Sequence, residues 1–261
     1  MKHNRKTLAV ALVTVVVGGT TSLAMFQNAV SKKSPHPSQE EATVLQEEAT
    51  ILQDRQITDR QKRHSKLFKH SGRKLREIAA EQPGDIVVEE GLPFVIVTQK
   101  SQRRSVFQSA LCRADAVVVG TIKEKTSQFT DDEKSVFTDY QVTVEEVIKN
   151  NASSPISTSN QITTTRDGGA VVLNNRTFRV IRESFNPAIV SKRYLLFLRF
   201  IPETGSYLMY GNGTFQLEAE EVLALGPGAR EEISKQRRQK DVLGFLNEIR
   251  SYSDSQCLED R

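Results

Sequence analysis

Four histidines, two cysteines, one acidic triplet and one Gly-Gly turn are the groups in this 261-residue chain whose types could carry chemistry. The histidines are His3, His36, His64 and His70, all ahead of residue 71. A domain built from the later residues therefore has no imidazole of its own. A Ser-His-Asp or Cys-His centre needs that imidazole as its base, and a histidine metal site needs it as a ligand, so neither is expected. Asp131, Asp132 and Glu133 offer three hard oxygen donors of the kind calcium takes, but without the alternating spacing of a cation loop, which favours a solvated acidic turn. Arg166-Asp167-Gly168-Gly169 could cradle an anion on backbone amides, or form a tight turn in which glycine supplies positive φ; the turn is favoured. Cys112 and Cys257 could close one long loop, worth roughly 4–5 kcal/mol in the loop-entropy model, or remain two thiols. Phosphate loops and dinucleotide fingerprints are missing. No catalytic, cofactor-binding or metal-binding set is expected.

The elements that would position these groups are mostly strands. A short helix is predicted over 105–113, carrying Phe107, Ala110 and Leu111 on one side. Residues 114–122 (ADAVVVGTI) form a β-branched run with Gly120 marking a bulge or bend. Residues 137–148 (FTDYQVTVEEVI) alternate until the pattern slips at Glu146 and Val147, which predicts a β-bulge. A short strand over 162–165 stops at the Asp167 turn, and 170–173 and 178–181 flank Asn174-Asn175 as a hairpin. Residues 194–201 (YLLFLRFI) are nearly all apolar, the mark of a central strand buried on both faces. Two strands, 207–210 and 214–217, are expected across Gly211-Asn212-Gly213, and 222–225 closes the set. Past Gly226-Pro227-Gly228 a helix is expected over 229–250, with Ile233, Val242, Leu243, Leu246 and Ile249 as its apolar stripe and Arg237, Arg238 and Lys240 outward.

Short strands without long helices between them indicate a mainly β fold built as a small barrel, with flanking helices and a helical N-terminal extension. The succession ADAVVVGTI, FTDYQVTVEEVIKN, a Gly-Gly strand and RYLLFLR resembles the OB-like β-barrel of the tissue-inhibitor-of-metalloproteinase and netrin-type domains, over roughly residues 112–218. The resemblance extends to exported bacterial proteins of unknown function. It implies a protease-inhibitor-like alternative: in the metalloproteinase inhibitors an N-terminal cysteine chelates the catalytic zinc through its amine and carbonyl. Cys112 is the nearest counterpart here, but it is internal and has an ordinary amide, and the family's many disulfides are absent.

Ahead of the barrel, Lys2, His3, Arg5 and Lys6 precede an apolar run over 8–17, and Ser22-Leu23-Ala24 carries small residues where a signal peptidase reads them. Residues 1–30 are thus a signal peptide cut after Ala24, or an anchor over 8–26. The positive flank places the rest outside the cytoplasm either way. Residues 31–82 are a polar linker containing the tandem heptapeptides QEEATVL and QEEATIL over 39–52, which suggest a short helix. The basic stretch Arg60, Lys62, Arg63, Lys66, Lys69, Arg73, Lys74 and Arg76 contains no acid. It reads as a solvated helix with Leu67, Leu75 and Ile78 inward, or as a contact for anionic head groups or a cell-wall polymer. Export, and Phe68 as the single interleaved aromatic, argue against nucleic acid.

The expected domain plan is 1–30, linker 31–82, short strands and a connecting helix over 83–111, barrel 112–226, and C-terminal helix and tail 227–261. A net charge of +4 with 26% charged residues excludes a polytopic membrane protein. The functional expectation is a non-catalytic interaction module of the cell envelope, without cofactor, whose partner is an envelope or extracellular protein or polymer. A hydrolase working with carboxylates alone is the enzymatic alternative.

Overall fold

Strands are the commonest regular element among the described residues. The computed structural model describes residues 50–51, 57–90, 106–182, 186–219, 221–226, 241–251 and 257. The helices among them are α1 (Asp59–Ser65), α2 (Leu75–Glu81), α3 (Val106–Arg113) and α4 (Val242–Ser251). The strands are β1 (Thr50–Ile51), β2 (Ile86–Glu90), β3 (Ala116–Phe129), β4 (Val136–Lys149), β5 (Gln161–Asp167), β6 (Gly169–Leu173), β7 (Arg176–Arg182), β8 (Arg193–Ile201), β9 (Ser206–Leu217) and β10 (Val222–Ala224). The chain is mainly β, as expected.

The larger sheet has the order β10-β9-β5-β4-β3-β8, and β8 also pairs with β9, giving a partial ring. All its pairings are antiparallel except β5 with β9, where Thr164 and Thr165 stand opposite Tyr207 and Leu208 in parallel. β3 and β8 are the spine. Val117, Val119, Leu195 and Phe197 point to one core, which α3 and α4 cover with Ala110, Leu111, Phe245, Leu246 and Ile249. Val118, Ile122, Tyr194, Leu196 and Leu198 point to the other, shared with Tyr140, Val142, Tyr207 and Met209. The apolar run of β8 is therefore buried on both faces. The slip at Glu146 and Val147 is a bulge: Val119 opposes Glu146 while Gly120 opposes Val144. Gly120 belongs there because a Cβ would lie 2.7 Å from the Thr143 carbonyl oxygen.

The smaller sheet has the order β1-β6-β7-β2. Its centre is the Asn174-Asn175 hairpin, whose two turn residues both have positive φ, 52° and 58°, the backbone of a type I′ turn. Segments from the N-terminal half supply both flanking strands in parallel, β1 on β6 and β2 on β7. Each hairpin edge is thus paired. Leu75, Ala79, Ile86, Val136, Val171, Phe178 and Val180 form the core between this sheet, α2 and the start of β4.

Several sequence expectations change. Thr50–Ile51, in the second heptapeptide, is strand and not helix. The basic stretch forms two helices, broken around Gly72 at φ +118°, and Leu67 is exposed while Leu75 is buried. Residues 57–82, expected as linker, contribute Leu75 and Ala79 to a core. Gly211-Asn212-Gly213 does not separate two strands; β9 runs through it, bulged so that Leu196 opposes Thr214 and Leu198 opposes Met209. A Cβ on Gly213 would lie 2.2 Å from the Phe197 ring, so the close approach of β8 demands glycine. On α4 the exposed residue is Leu243, and Phe245 takes its place inside. The N-terminal run with Ala24, the first heptapeptide and Ile233, Arg237, Arg238 and Lys240 lie outside the described residues. Among those described, no helix is long and apolar enough to cross a membrane.

Candidate functional site

An acid, a base and a hydroxyl converge where α1 meets β4 and the start of β9. Thr58 caps α1: its Oγ1 accepts from the Gln61 N–H at 3.3 Å, and Gln61 Oε1 accepts from the Thr58 N–H at 2.9 Å. Asp59 in the first turn and Lys62 and Arg63 in the last suit the helix dipole. The helix so fixed turns His64 and Ser65 inward between exposed cations. His64 Nδ1 lies 2.9 Å from Asp139 Oδ1 on β4, and Nε2 lies 2.6 Å from Ser206 Oγ at the start of β9 and 3.1 Å from Thr204 Oγ1. Thr204 and Ser206 hydroxyls are 2.6 Å apart. In the tautomer whose Nδ1–H donates to the carboxylate, Nε2 accepts from the Ser206 hydroxyl.

This Ser-His-Asp geometry corrects the expectation that the β domain is without an imidazole. His64 precedes the larger sheet in sequence but docks into it. The interatomic distances match those of a nucleophilic triad, yet the surroundings do not. His64 is 0% exposed, Ser206 1% and Asp139 5%. No acyl group can reach Ser206 Oγ while α1 is docked. If α1 leaves, it takes the base with it. In this arrangement the three groups form a buried polar clasp between α1 and the sheet.

A second clasp follows in the same segment. His70 Nε2 lies 3.2 Å from Asp167 Oδ1, and Arg182 on β7 holds Asp167 Oδ2 at 2.6 Å. The acidic turn is part of this docking surface: the Asp131 N–H donates to Ser65 Oγ at 2.7 Å, the Glu133 carbonyl accepts from the Leu75 N–H at 2.8 Å, and Arg76 pairs with Glu133 at 3.0 Å. Burial works to raise the Asp132 pKa, but hydrogen bonds from Thr130 Oγ1 and the Lys134 N–H, with the charges of Lys134 and His70, hold it below the usual value. Asp131, Asp132 and Glu133 thus brace the turn. Among the described residues no three His, Cys, Asp or Glu side chains are grouped to hold a metal ion.

At Gly168 the chain passes from β5 of the larger sheet directly into β6 of the smaller one. Gly168 and Gly169 have φ of +88° and +144°, and the Gly168 N–H donates to the Val136 carbonyl, so that amide is not offered to an anion. Cys112, on α3, is bonded to Cys257 across 145 residues, with their Cα atoms 5.3 Å apart. The bond staples the segment following α4 to the helix that shares its core.

A cleft of about 580 Å³ lies between the N-terminus of α1, the end of β3 and β6. Ile57, Phe129 and Leu173 supply apolar wall, and Thr126, Gln61 and Thr58 supply neutral polar groups. Its cation is committed: Arg76 pairs with Glu133 and lies 5.7 Å over the Phe129 ring. Neither the clasp nor the cleft was legible from local pattern. The one hint of the clasp is that His64-Ser65 interrupts a run of cations. No protein-family model matches the chain, and no curated protein matches its sequence significantly.

Proposed function

We propose that this chain is a non-catalytic binding module of the cell envelope, exported or anchored through its N-terminal apolar run, with an OB-like barrel of the metalloproteinase-inhibitor and netrin type as its scaffold. The sealed His64–Asp139–Ser206 clasp carries the reading: the acid, base and hydroxyl that could do chemistry are spent holding α1 against the sheet. The cleft at the N-terminus of α1, lined by apolar and neutral groups together with Arg76, Asp131 and Glu133, suits recognition of an extended segment of a partner. Five strands in the order β3-β4-β5-β9-β8, with the parallel β5–β9 contact, support the OB-like assignment. Zinc-chelating inhibition loses ground, since Cys112 lies within α3 and is disulfide-bonded.

The test is photocrosslinking in envelope fractions, with the reactive group at Thr126 in the cleft and a control at exposed Val87 on β2. One discrete adduct specific to Thr126 is expected. Adducts at neither position, or the same set at both, would refute the cleft as a binding surface.

A further inference from the structure

We propose that Asp139 Oδ2 and Thr165 Oγ1 hold one internal water molecule, which completes the clasp at the carboxylate oxygen that His64 does not reach. Both atoms are buried, and neither has a hydrogen-bond partner among the described residues. The two residues stand directly opposite each other in the antiparallel pairing of β4 with β5. Side chains so opposed lie on the same face of the sheet, with Cβ atoms about 5 Å apart. A carboxylate oxygen that accepts and a hydroxyl that both donates and accepts are thus neighbours without being bonded to each other. A bridging water serves such a gap with the bonds that both atoms lack.

The side chains around the pair do not supply the bond. Along β4 the same face carries Phe137 and Gln141, two residues to either side of Asp139. Phe137 is apolar and stacks on Phe68. Gln141 exchanges hydrogen bonds with Thr163, its own opposite number on β5. Thr126, the neighbour on β3, is half-buried at the wall of the cleft and is not bonded to Asp139 Oδ2. The Ser206 and Thr204 hydroxyls sit at Nε2, the far edge of the His64 ring, bonded to it and to each other. Native interiors meet buried polar atoms of this kind with a protein group or an ordered water. Water is the ligand and not a metal ion, because hard divalent cations take about six oxygens or more, whereas an internal water needs about two to four partners. Asp139 is then fixed at both oxygens, by the His64 ring at Oδ1 and by the water at Oδ2. Thr165 is in this way a positioning residue for the docking of α1, acting through the carboxylate.

The experiment is relaxation dispersion of water oxygen-17 and deuterium in solutions of the full chain, which counts the water molecules held longer than the protein takes to tumble. Three variants accompany the wild type. Thr165→Val keeps the shape of the side chain and removes the hydroxyl, Thr165→Ser keeps the hydroxyl, and Thr163→Val breaks the neighbouring bond to Gln141 instead. Thr165→Val should hold one long-lived water fewer than the wild type, and the other two should hold the wild-type number. Amide exchange in α1, measured against β3, should rise roughly fivefold in Thr165→Val, as the loss of one hydrogen bond implies, and return to the wild-type rate in Thr165→Ser. Equal numbers of long-lived waters in wild type and Thr165→Val would overturn the proposal. An atomic-resolution crystal structure of the wild type decides independently, whether or not Thr165→Val folds. A water within hydrogen-bond distance of both oxygens supports the site, and a Thr165 hydroxyl bonded directly to Asp139 Oδ2 would overturn it.

Discussion

His64 Nδ1 lies 2.9 Å from Asp139 Oδ1, although 75 residues separate them and the ring arrives on a helix preceding the sheet it enters. The other carboxylate oxygen, Asp139 Oδ2, is buried and has no hydrogen-bond partner. Among the described residues His64 is the one side chain that hydrogen-bonds this carboxylate. His64→Ala leaves the buried group without that donor and removes the docking point of α1. A loss of about 3 kcal/mol in unfolding free energy is expected. Urea denaturation of wild type and variant measures it, and a change under 1 kcal/mol would mean that the clasp does not hold α1.

Ser206 gives the opposite expectation. Its hydroxyl donates one hydrogen bond within a group that also contains Thr204, so Ser206→Ala should cost only about 1 kcal/mol. In the folded chain Ser206 should not react with a fluorophosphonate probe, because a nucleophile must be reached as well as activated. Stoichiometric labelling at Ser206, found by peptide mass analysis, would contradict the closed clasp and reopen an acyl-transfer role.

The Cys112–Cys257 bond joins α3 to the residues after α4, and those helices share one core through Ala110, Leu111, Phe245, Leu246 and Ile249. Constraining a loop of 145 residues in the unfolded chain corresponds to about 5 kcal/mol in the entropic account. Cys257→Ser should lower stability by 2–5 kcal/mol, roughly the range for removing such a bond. Fraying of α4 should precede global unfolding, read as faster amide exchange at Leu246 and Ile249 than in β3. Uniform exchange in the two elements would show that the core, not the staple, holds α4.

What could be read from the residues, and what could not, divides by distance along the chain. The Asn174-Asn175 turn and the two-sided burial of β8 follow from neighbours within about ten residues, where φ preference and alternation act directly. The bulge at Glu146 is similarly local. The continuity of β9 was hidden because Gly211-Asn212-Gly213 has the composition of a turn; what decides it is Phe197 on β8, whose ring occupies the space a Gly213 side chain would need. His64 fails for the same reason on a larger scale. A basic, acid-free run has the composition of solvated surface, and the partners that bury one of its histidines lie 75 and 142 residues away. The N-terminal strand β1 was obscured likewise, since it is completed only by the hairpin it flanks, whereas β2 falls where a short strand was expected over 83–111.

Two glutamates on β4 contribute to the acid limb of stability. The Glu146 carboxyl is held below its ordinary value of 4.5 first by its hydrogen bonds from Arg250 on α4, at 2.7 Å, against the opposing effect of burial. For Glu145, burial is the largest single influence and works upward, but bonds from Thr121 and Arg193 with the Arg193 charge outweigh it, and its pKa is also lowered. A folded pKa below the unfolded one means that the unfolded chain binds more protons as pH falls through this range. The stabilisation is therefore complete above about pH 4.5 and is lost as pH drops through the folded values. Both ion pairs are more than a third exposed on at least one side, so each contributes only about 0.5 kcal/mol. Glu146→Gln should lower the urea midpoint slightly at neutral pH, and the difference from wild type should shrink as pH falls below about 4.5. It should also remove part of the salt sensitivity of the wild type. A deficit that is the same above and below that pH would show that Glu146 matters for packing α4 through its carbon stem and not for its charge.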